Sequence, residues 1–473
     1  MDSTNVTSRS RGAWALVLTS VAFFMGALDS LVVITALPAV HKEIGGSLSA
    51  LEWTVNAYTV AVAAGIITGA AIGDRLGRRL VYIVGLVVFS LASAACALAP
   101  NVEALIAARA VQGIGAAILT PLSLTILTSA FPASRRGAII GAWGGIGGLA
   151  VAIGPMIGGA VTQGLNWHWI FWVNVPIGLA AAALSGFKLP ESRGAQTPLD
   201  IPGLALISAG AIAILWGLVR ATDAGWTSNE VVGALGLGAL LVAAFVAWES
   251  RARAPMLPLR LLTIGPFAAA AGTAFLMTGS IMSAAFLASQ FFQFGLGYSP
   301  LDTGVRFLPW TGTAFIVAPL AGRISDRIGT KPLMVMGMLM NAAGLAWMSQ
   351  VAGAGVGYER LVLPLVLGGV GVSMALPTTP AAALASVPAT DIGKASGVIN
   401  MLQRFGAAFA IAVVSAVFAA NGSLAGAVNV SAGFKPATIV VAGMSVAGGL
   451  LALATARRRA APSAVPAELS AAA

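Results

Sequence analysis

Fourteen runs of about twenty apolar residues follow one another with only short loops between them, and that length is what a helix needs to cross a bilayer. Their limits are 14 to 38, 50 to 72, 80 to 99, 103 to 130, 137 to 161, 168 to 187, 202 to 220, 231 to 248, 265 to 294, 304 to 322, 332 to 351, 360 to 385, 393 to 420 and 436 to 456. Helices are the expected form, because a segment in lipid must satisfy its own backbone N–H and C=O groups. Only 9% of the 473 residues are charged, against roughly 25% in a soluble domain. Mean hydropathy is +0.91 over the whole length, which excludes both a soluble globule and a soluble enzyme with a single anchor. Cys96 is the only cysteine, so no internal disulfide forms, and two histidines leave little for a metal site. Met1 to Ala13 precede a run too long for a signal-peptide core, so the first span is expected to stay in place.

Lys and Arg set the orientation. With both termini cytoplasmic, nineteen of the 26 basic residues fall in cytoplasmic segments and four (Lys42, Arg220, Arg360 and Lys435) outside; Arg109, Arg306 and Arg404 lie within or at the ends of spans. The net charge of +10 is therefore a cytoplasmic-face excess. No basic cluster with interleaved aromatics occurs outside the loops, which argues against nucleic acid. Twelve spans would also be even, but would discard two clear runs between 202 and 248. Trp53, Trp167, Trp169 and Trp226 read as an outer aromatic belt.

The chain contains a copy of itself. Gly73-Asp74-Arg75-Leu76-Gly77-Arg78-Arg79 recurs as Ser325-Asp326-Arg327-Ile328-Gly329-Thr330-Lys331, 252 residues on. Gly113, Gly115, Pro121, Pro132, Gly137 and Gly141 recur at Gly369, Gly371, Pro377, Pro388, Gly393 and Gly397, 256 residues on. Direct duplication of six spans would give an offset near 180, and the excess accommodates two more helices. The expected organisation is a cytoplasmic N-terminus (1–13), a six-helix bundle (14–187), two inserted helices (188–264), a second six-helix bundle (265–456) and a disordered cytoplasmic tail (457–473). Parallel repeats of this kind place a substrate path between them near the midplane.

Asp29 is the one acidic residue deep in a span, where ionisable groups are costly and mark function. A carboxylate that alternates between apolar surroundings and water binds and releases a proton. Asp29 lies nine residues before Pro38 and Arg109 six after Glu103, about 13 and 9 Å below the outer ends at 1.5 Å per residue. The matched depths make Asp29 the expected proton-coupling carboxylate and Arg109 the charge that tunes it. The plain alternative is a static ion pair pinning spans one and four. In the loop motif, Gly73 and Gly77 permit a tight turn, and Asp74 can accept from Arg75, Arg78 or Arg79 or face a helix N-terminus. Its recurrence at Asp326, Arg327 and Gly329 favours a cytoplasmic latch between the bundles over a loop that only sets orientation. Gly141, Gly154, Pro155, Gly158 and Gly159 let span five bend and approach another helix closely; Gly65, Gly69 and Gly73 do the same in span two.

Cavity candidates are Asn56, Tyr58, Gln112, Gln290, Phe291, Gln293, Phe294, Trp310, Asn400, Gln403 and Arg404. Aromatics with a few amides and little fixed charge suit an amphipathic organic molecule. Arg306 and Arg404 can meet an anionic compound or snorkel to an interface. No G-x-x-x-x-G-K-[ST] loop is present, so energy from a nucleotide would need a separate subunit.

GDRLGRR at 73–79, ARAVQGIGAAILTP at 108–121 and the span-five ladder of Gly141, Gly154-Pro155 and Gly158-Gly159 resemble motifs of the major facilitator superfamily. One ladder glycine is Ala150 here. LDSLVVITALPAV at 28–40 and WHWIFWVNVPIG at 167–178 resemble its fourteen-span drug:proton antiporters. The resemblance implies a secondary active transporter rather than an enzyme, exporting drugs, dyes or antibiotics in exchange for protons with no cofactor. It implies the coupling role of the span-four arginine and a span-five bend that blocks leak and favours exchange. Two other readings stand beside it: a transporter dedicated to one metabolite (a self-made antibiotic, siderophore or amino acid) and a membrane scaffold or receptor without transport. A monomer in the cytoplasmic membrane of a bacterium is expected, and 21 Arg to 5 Lys suggests a GC-rich genome.

Overall fold

The computed structural model describes residues 3–131, 133–194, 200–252, 255, 257–388 and 391–455. Among them there is no strand. A first group comprises α1 (Ser3–Ile44), α2 (Leu48–Leu76), α3 (Arg78–Ala97), α4 (Val102–Ser129), α5 (Ala133–Gly164), α6 (Trp169–Trp172) and α7 (Asn174–Lys188). A hairpin of α8 (Ile201–Ala224) and α9 (Asn229–Glu249) follows. The second group is α10 (Leu259–Leu262), α11 (Gly265–Gln290) with a π-helical turn over Phe291–Gly295, α12 (Pro300–Arg306), α13 (Leu308–Thr311), α14 (Thr313–Ile328), α15 (Thr330–Val351), α16 (Glu359–Ala385), α17 (Ile392–Asn421) and α18 (Ala427–Ala452).

Twelve helices among the described residues are long and apolar enough to cross a membrane. The two other runs expected to cross are α5, 32 residues long, and the segment broken into α12, α13 and α14. Pro309 has no N–H to donate, and the break lies beside it: α14 alone is 16 residues. Polar side chains close helix starts where the sequence supplies them. Asn101 accepts from Ala104 N at 2.8 Å, and Asp200 from Gly203 N at 2.9 Å.

Small residues decide which helices touch. A Cβ on Gly65 would lie 2.9 Å from Ala117 Cβ and one on Gly69 2.9 Å from Ala117 O, so α2 rides on α4. A Cβ on Gly115 would meet Phe89 N at 2.7 Å, which seats α4 on α3. Gly77 (φ 121°) and Gly329 (φ 87°) make the same left-handed turn at the two copies of the loop, a conformation that a side chain disfavours.

The two groups meet along α2 and α17, where Val60 packs with Ala408 and Ala412; Leu215 and Leu218 of the hairpin join that cluster. They also meet at the face opposite the basic loop 73–79. There Ser289 Oγ donates to Ile34 O (3.2 Å), Gln293 Nε2 to Thr35 O (2.9 Å) and Leu301 N to Gln163 Oε1 (3.1 Å). One member of the expected aromatic belt is displaced: Trp167 is buried, stacks on His168 and donates to Glu43 Oε2 at 2.8 Å, because that carboxylate gives its N–H a partner. Trp169 and Trp226 are exposed.

Candidate functional site: a buried ion-pair nest

Asp29 on α1 and Arg109 on α4 are 3% and 1% exposed and form an ion pair through Asp29 Oδ2 and Arg109 Nη1. Such a pair needs its remaining donors and acceptors engaged, and neighbouring side chains and backbone supply partners to both residues. Gln112 Nε2 donates to Asp29 Oδ1 at 3.0 Å and Asn174 Nδ2 to the same oxygen at 3.4 Å. Arg109 donates from Nε to Thr54 O (3.0 Å) and from Nη1 to Gln112 Oε1 (2.7 Å). Ser93 Oγ accepts from Gln112 and Asn174 at 3.3 and 3.2 Å and donates to Phe171 O at 2.9 Å. The guanidinium lies 4.2 Å from the centre of the Tyr58 ring, close enough for a cation–π contact. α1, α2, α3, α4, α6 and α7 all contribute to this nest. A proton on Asp29 would turn the ion pair into a neutral acid beside a cation and force these partners to rearrange.

Depth thus brings Asp29 and Arg109 together as the sequence suggests. Gln112 and Tyr58, read as cavity lining, belong to the nest. Ser93 and Asn174 were not singled out in the sequence; Asn174 sits in the Asn-Val-Pro turn at the start of α7, where an amide reads as a helix start.

The loop motif has a local partner. Arg78 Nε pairs with Asp74 Oδ1 at 2.7 Å. Arg78 N donates to Ser192 O at 2.8 Å and Gly194 N to Asp74 O at 3.0 Å. Glu191 accepts from the N–H groups of Arg79 (3.0 Å) and Leu80 (3.2 Å), capping α3 from 112 and 111 residues away, and Arg79 Nη1 donates to Leu189 O at 3.1 Å. These contacts hold the motif to the linker toward α8 rather than to the second group. Gly73 packs on Leu122, and Arg75 and Arg327 are exposed. The Asp326 and Gly141 side-chain positions lie outside the described residues.

In span five, a Cβ on Gly154 would meet Leu31 Cβ at 3.1 Å and one on Gly158 would meet Val32 Cα at 3.0 Å, which places α5 on α1. Gly159 faces Pro300, and Gly304 faces Pro155, so the same helix clasps α12. The remaining cavity candidates do not converge on one chamber. Phe291 stacks on Phe434 (centroids 4.4 Å apart), Phe294 sets its edge on His41 and Trp310 packs on Phe307. Asn56 and Gln290 are fully buried with no hydrogen-bond partner, and Asn400 donates to Ser396 O. Gln403 and Arg404 are half-buried on α17. Arg306 stacks on Tyr298 at 4.0 Å and pairs with Asp302 at 2.8 Å, a local fastening of α12.

Comparison with known proteins agrees with this architecture. The family model described as Major Facilitator Superfamily matches residues 19–411 and 310–472. A tetracenomycin C resistance and export protein of Streptomyces glaucescens is 34% identical over 416 residues, covering 87% of this chain and 77% of that protein. The multidrug resistance protein Stp of Mycobacterium tuberculosis is 32% identical over 407 residues, covering 86% and 75%. A crystal structure of the peptide transporter POT in complex with sulfate superposes with a TM-score of 0.69 at 17% identity, over 96% of this chain and 98% of that one, a likeness of fold. This chain therefore belongs to the Major Facilitator Superfamily, as a multi-pass membrane transporter and not an enzyme.

Proposed function

We propose that the protein exports amphipathic or lipophilic organic compounds, antibiotics among them, in exchange for protons by alternating access. The observation that carries this reading is the Asp29–Arg109 nest, a fully partnered carboxylate inside a span and so a group whose protonation must move its neighbours. In the deprotonated state Arg109, Gln112 and Asn174 all engage Asp29. Protonation weakens the charge-assisted bonds and lets α1 shift against α4. Rocking of the bundle at 14–187 against that at 265–456, with the inserted pair at 188–264 between them, would carry substrate across. The same reading holds fourteen crossings, both termini in the cytoplasm of a bacterium, a monomer in its cytoplasmic membrane, a loop 73–79 that latches the bundles in the alternate state, and a span-five bend that suppresses leak. Relatives named for resistance and export support the direction of transport.

A dedicated exporter of one natural product is the second reading, favoured by the relative named for tetracenomycin C. Purified protein in liposomes with an imposed pH gradient, assayed against a panel of dyes and antibiotics, separates the two. Several unrelated compounds move under the first reading and one under the second; if none moves under any gradient, both fail.

A further inference from the structure

The second bundle holds a counterpart of the nest without its charges. Asn341 Nδ2 on α15 donates to Ser280 Oγ (2.8 Å) on α11 and to Ser445 Oγ (2.9 Å) on α18, and the two hydroxyls lie 2.7 Å apart. The repeat offset of 256 that relates α4 to α16 sets Leu365 in the place of Arg109 and Gly368 in the place of Gln112. The space that the guanidinium and the amide fill in the first bundle is thereby vacated in the second. A cavity of about 20 Å³ lies there, lined among others by Trp310, Asn341, Met348, Leu365, Gly368 and Thr438.

Two polar atoms on residues of this wall, Asn341 Oδ1 and Thr438 Oγ1, are buried without a hydrogen-bond partner, and their residues are each 2% exposed. The position a Cβ would take on Gly368 is 3.4 Å from Asn341 Oδ1 and 3.8 Å from Trp310 Nε1, so the amide oxygen and the indole N–H both border the same small space. Unpaired polar atoms at such depth are costly. A volume of roughly 10–15 Å³ suffices for one water, which needs two to four polar partners. From the cavity's size and its donors and acceptors, we infer that it is a resident-water site: one water accepts from Trp310 Nε1–H, donates to Asn341 Oδ1 and bonds the Thr438 hydroxyl. The water ties the broken span ten, through Trp310 on α13, to α15 and α18.

Radiolytic hydroxyl-radical footprinting of the full-length protein tests this, because bound water generates radicals next to side chains that bulk solvent does not reach. Met348 and Met338 share α15 and are 4% and 1% exposed, but only Met348 lines the cavity. Met348 is expected to be oxidised at least several-fold faster than Met338. Gly368→Ala places a methyl in the space at ordinary contact distance and is expected to bring Met348 down to the Met338 rate. Thr438→Val, which keeps the volume and removes one partner, is expected to lower Met348 oxidation and serves if Gly368→Ala does not fold. Equal rates at the two methionines in the unsubstituted protein, or a Met348 rate unchanged in a folded Gly368→Ala or Thr438→Val protein, would overturn the assignment.

Discussion

Arg109 is the residue on which the nest depends, because its guanidinium alone touches α1, α2 and α4 at once through Asp29, Thr54 and Gln112. Removing one partner of a buried pair leaves an uncompensated charge, at a cost of about 3–5 kcal/mol. Arg109→Ala should therefore lower the melting temperature in detergent. The double variant Asp29→Asn/Arg109→Gln, which leaves no charge, should recover most of it while staying unable to couple to a pH gradient. A double variant as unstable as Arg109→Ala would show that lost packing dominates instead. Asn174→Ala should reduce transport several-fold and lower the melting temperature less than Arg109→Ala does, since Asp29 Oδ1 still accepts from Gln112. Asp29 and Arg109 were legible in the sequence because charge is rare in the spans and depth can be counted along a helix. Ser93 and Asn174 were not, because neutral polar residues are common in packed helices and nothing local says which way they point.

Between elements, glycines fix the distances. A Cβ on Gly113 would sit 2.5 Å from Tyr58 O and 2.8 Å from Ala61 Cβ, so Gly113→Ala must part α2 from α4 beneath the ring that stacks on Arg109. Overpacking of this kind costs about 1–3 kcal/mol, and the expected result is a lower melting temperature together with slower transport. The small-residue stripes were visible in the sequence, but the helices they receive were not: α4 for span two, and both α1 and α12 for span five, follow from three-dimensional packing alone. The loop motif gives the same lesson. Its tight turn was readable from Gly77 and Gly329, whereas the Glu191 cap on α3 joins residues more than a hundred positions apart. Glu191→Ala should free the N–H groups of Arg79 and Leu80 and cost about 0.5–2 kcal/mol, the range for loss of a helix cap, read as a fall in melting temperature.

For the whole molecule, the repeat in the sequence pointed to two groups of helices with two more between them, while the break of span ten at Pro309 escaped a reading based on apolar length. Contacts between the groups include a clasp at the face opposite the loop motif, where Gln163 Oε1 accepts from Leu301 N. Rocking, as proposed, would have to part this contact, so a disulfide formed in Gln163→Cys/Leu301→Cys should stop transport and a reductant should restore it. Undiminished transport by the oxidised protein would show that this face does not open. The most direct test of the account as a whole is proton-driven efflux from liposomes by the Asp29→Asn protein, measured beside the unsubstituted protein and beside gradient-free exchange of labelled substrate. Gradient-driven accumulation should fall at least ten-fold with exchange retained; accumulation at the unsubstituted rate, with equal protein in the membrane, would show that Asp29 does not couple the proton.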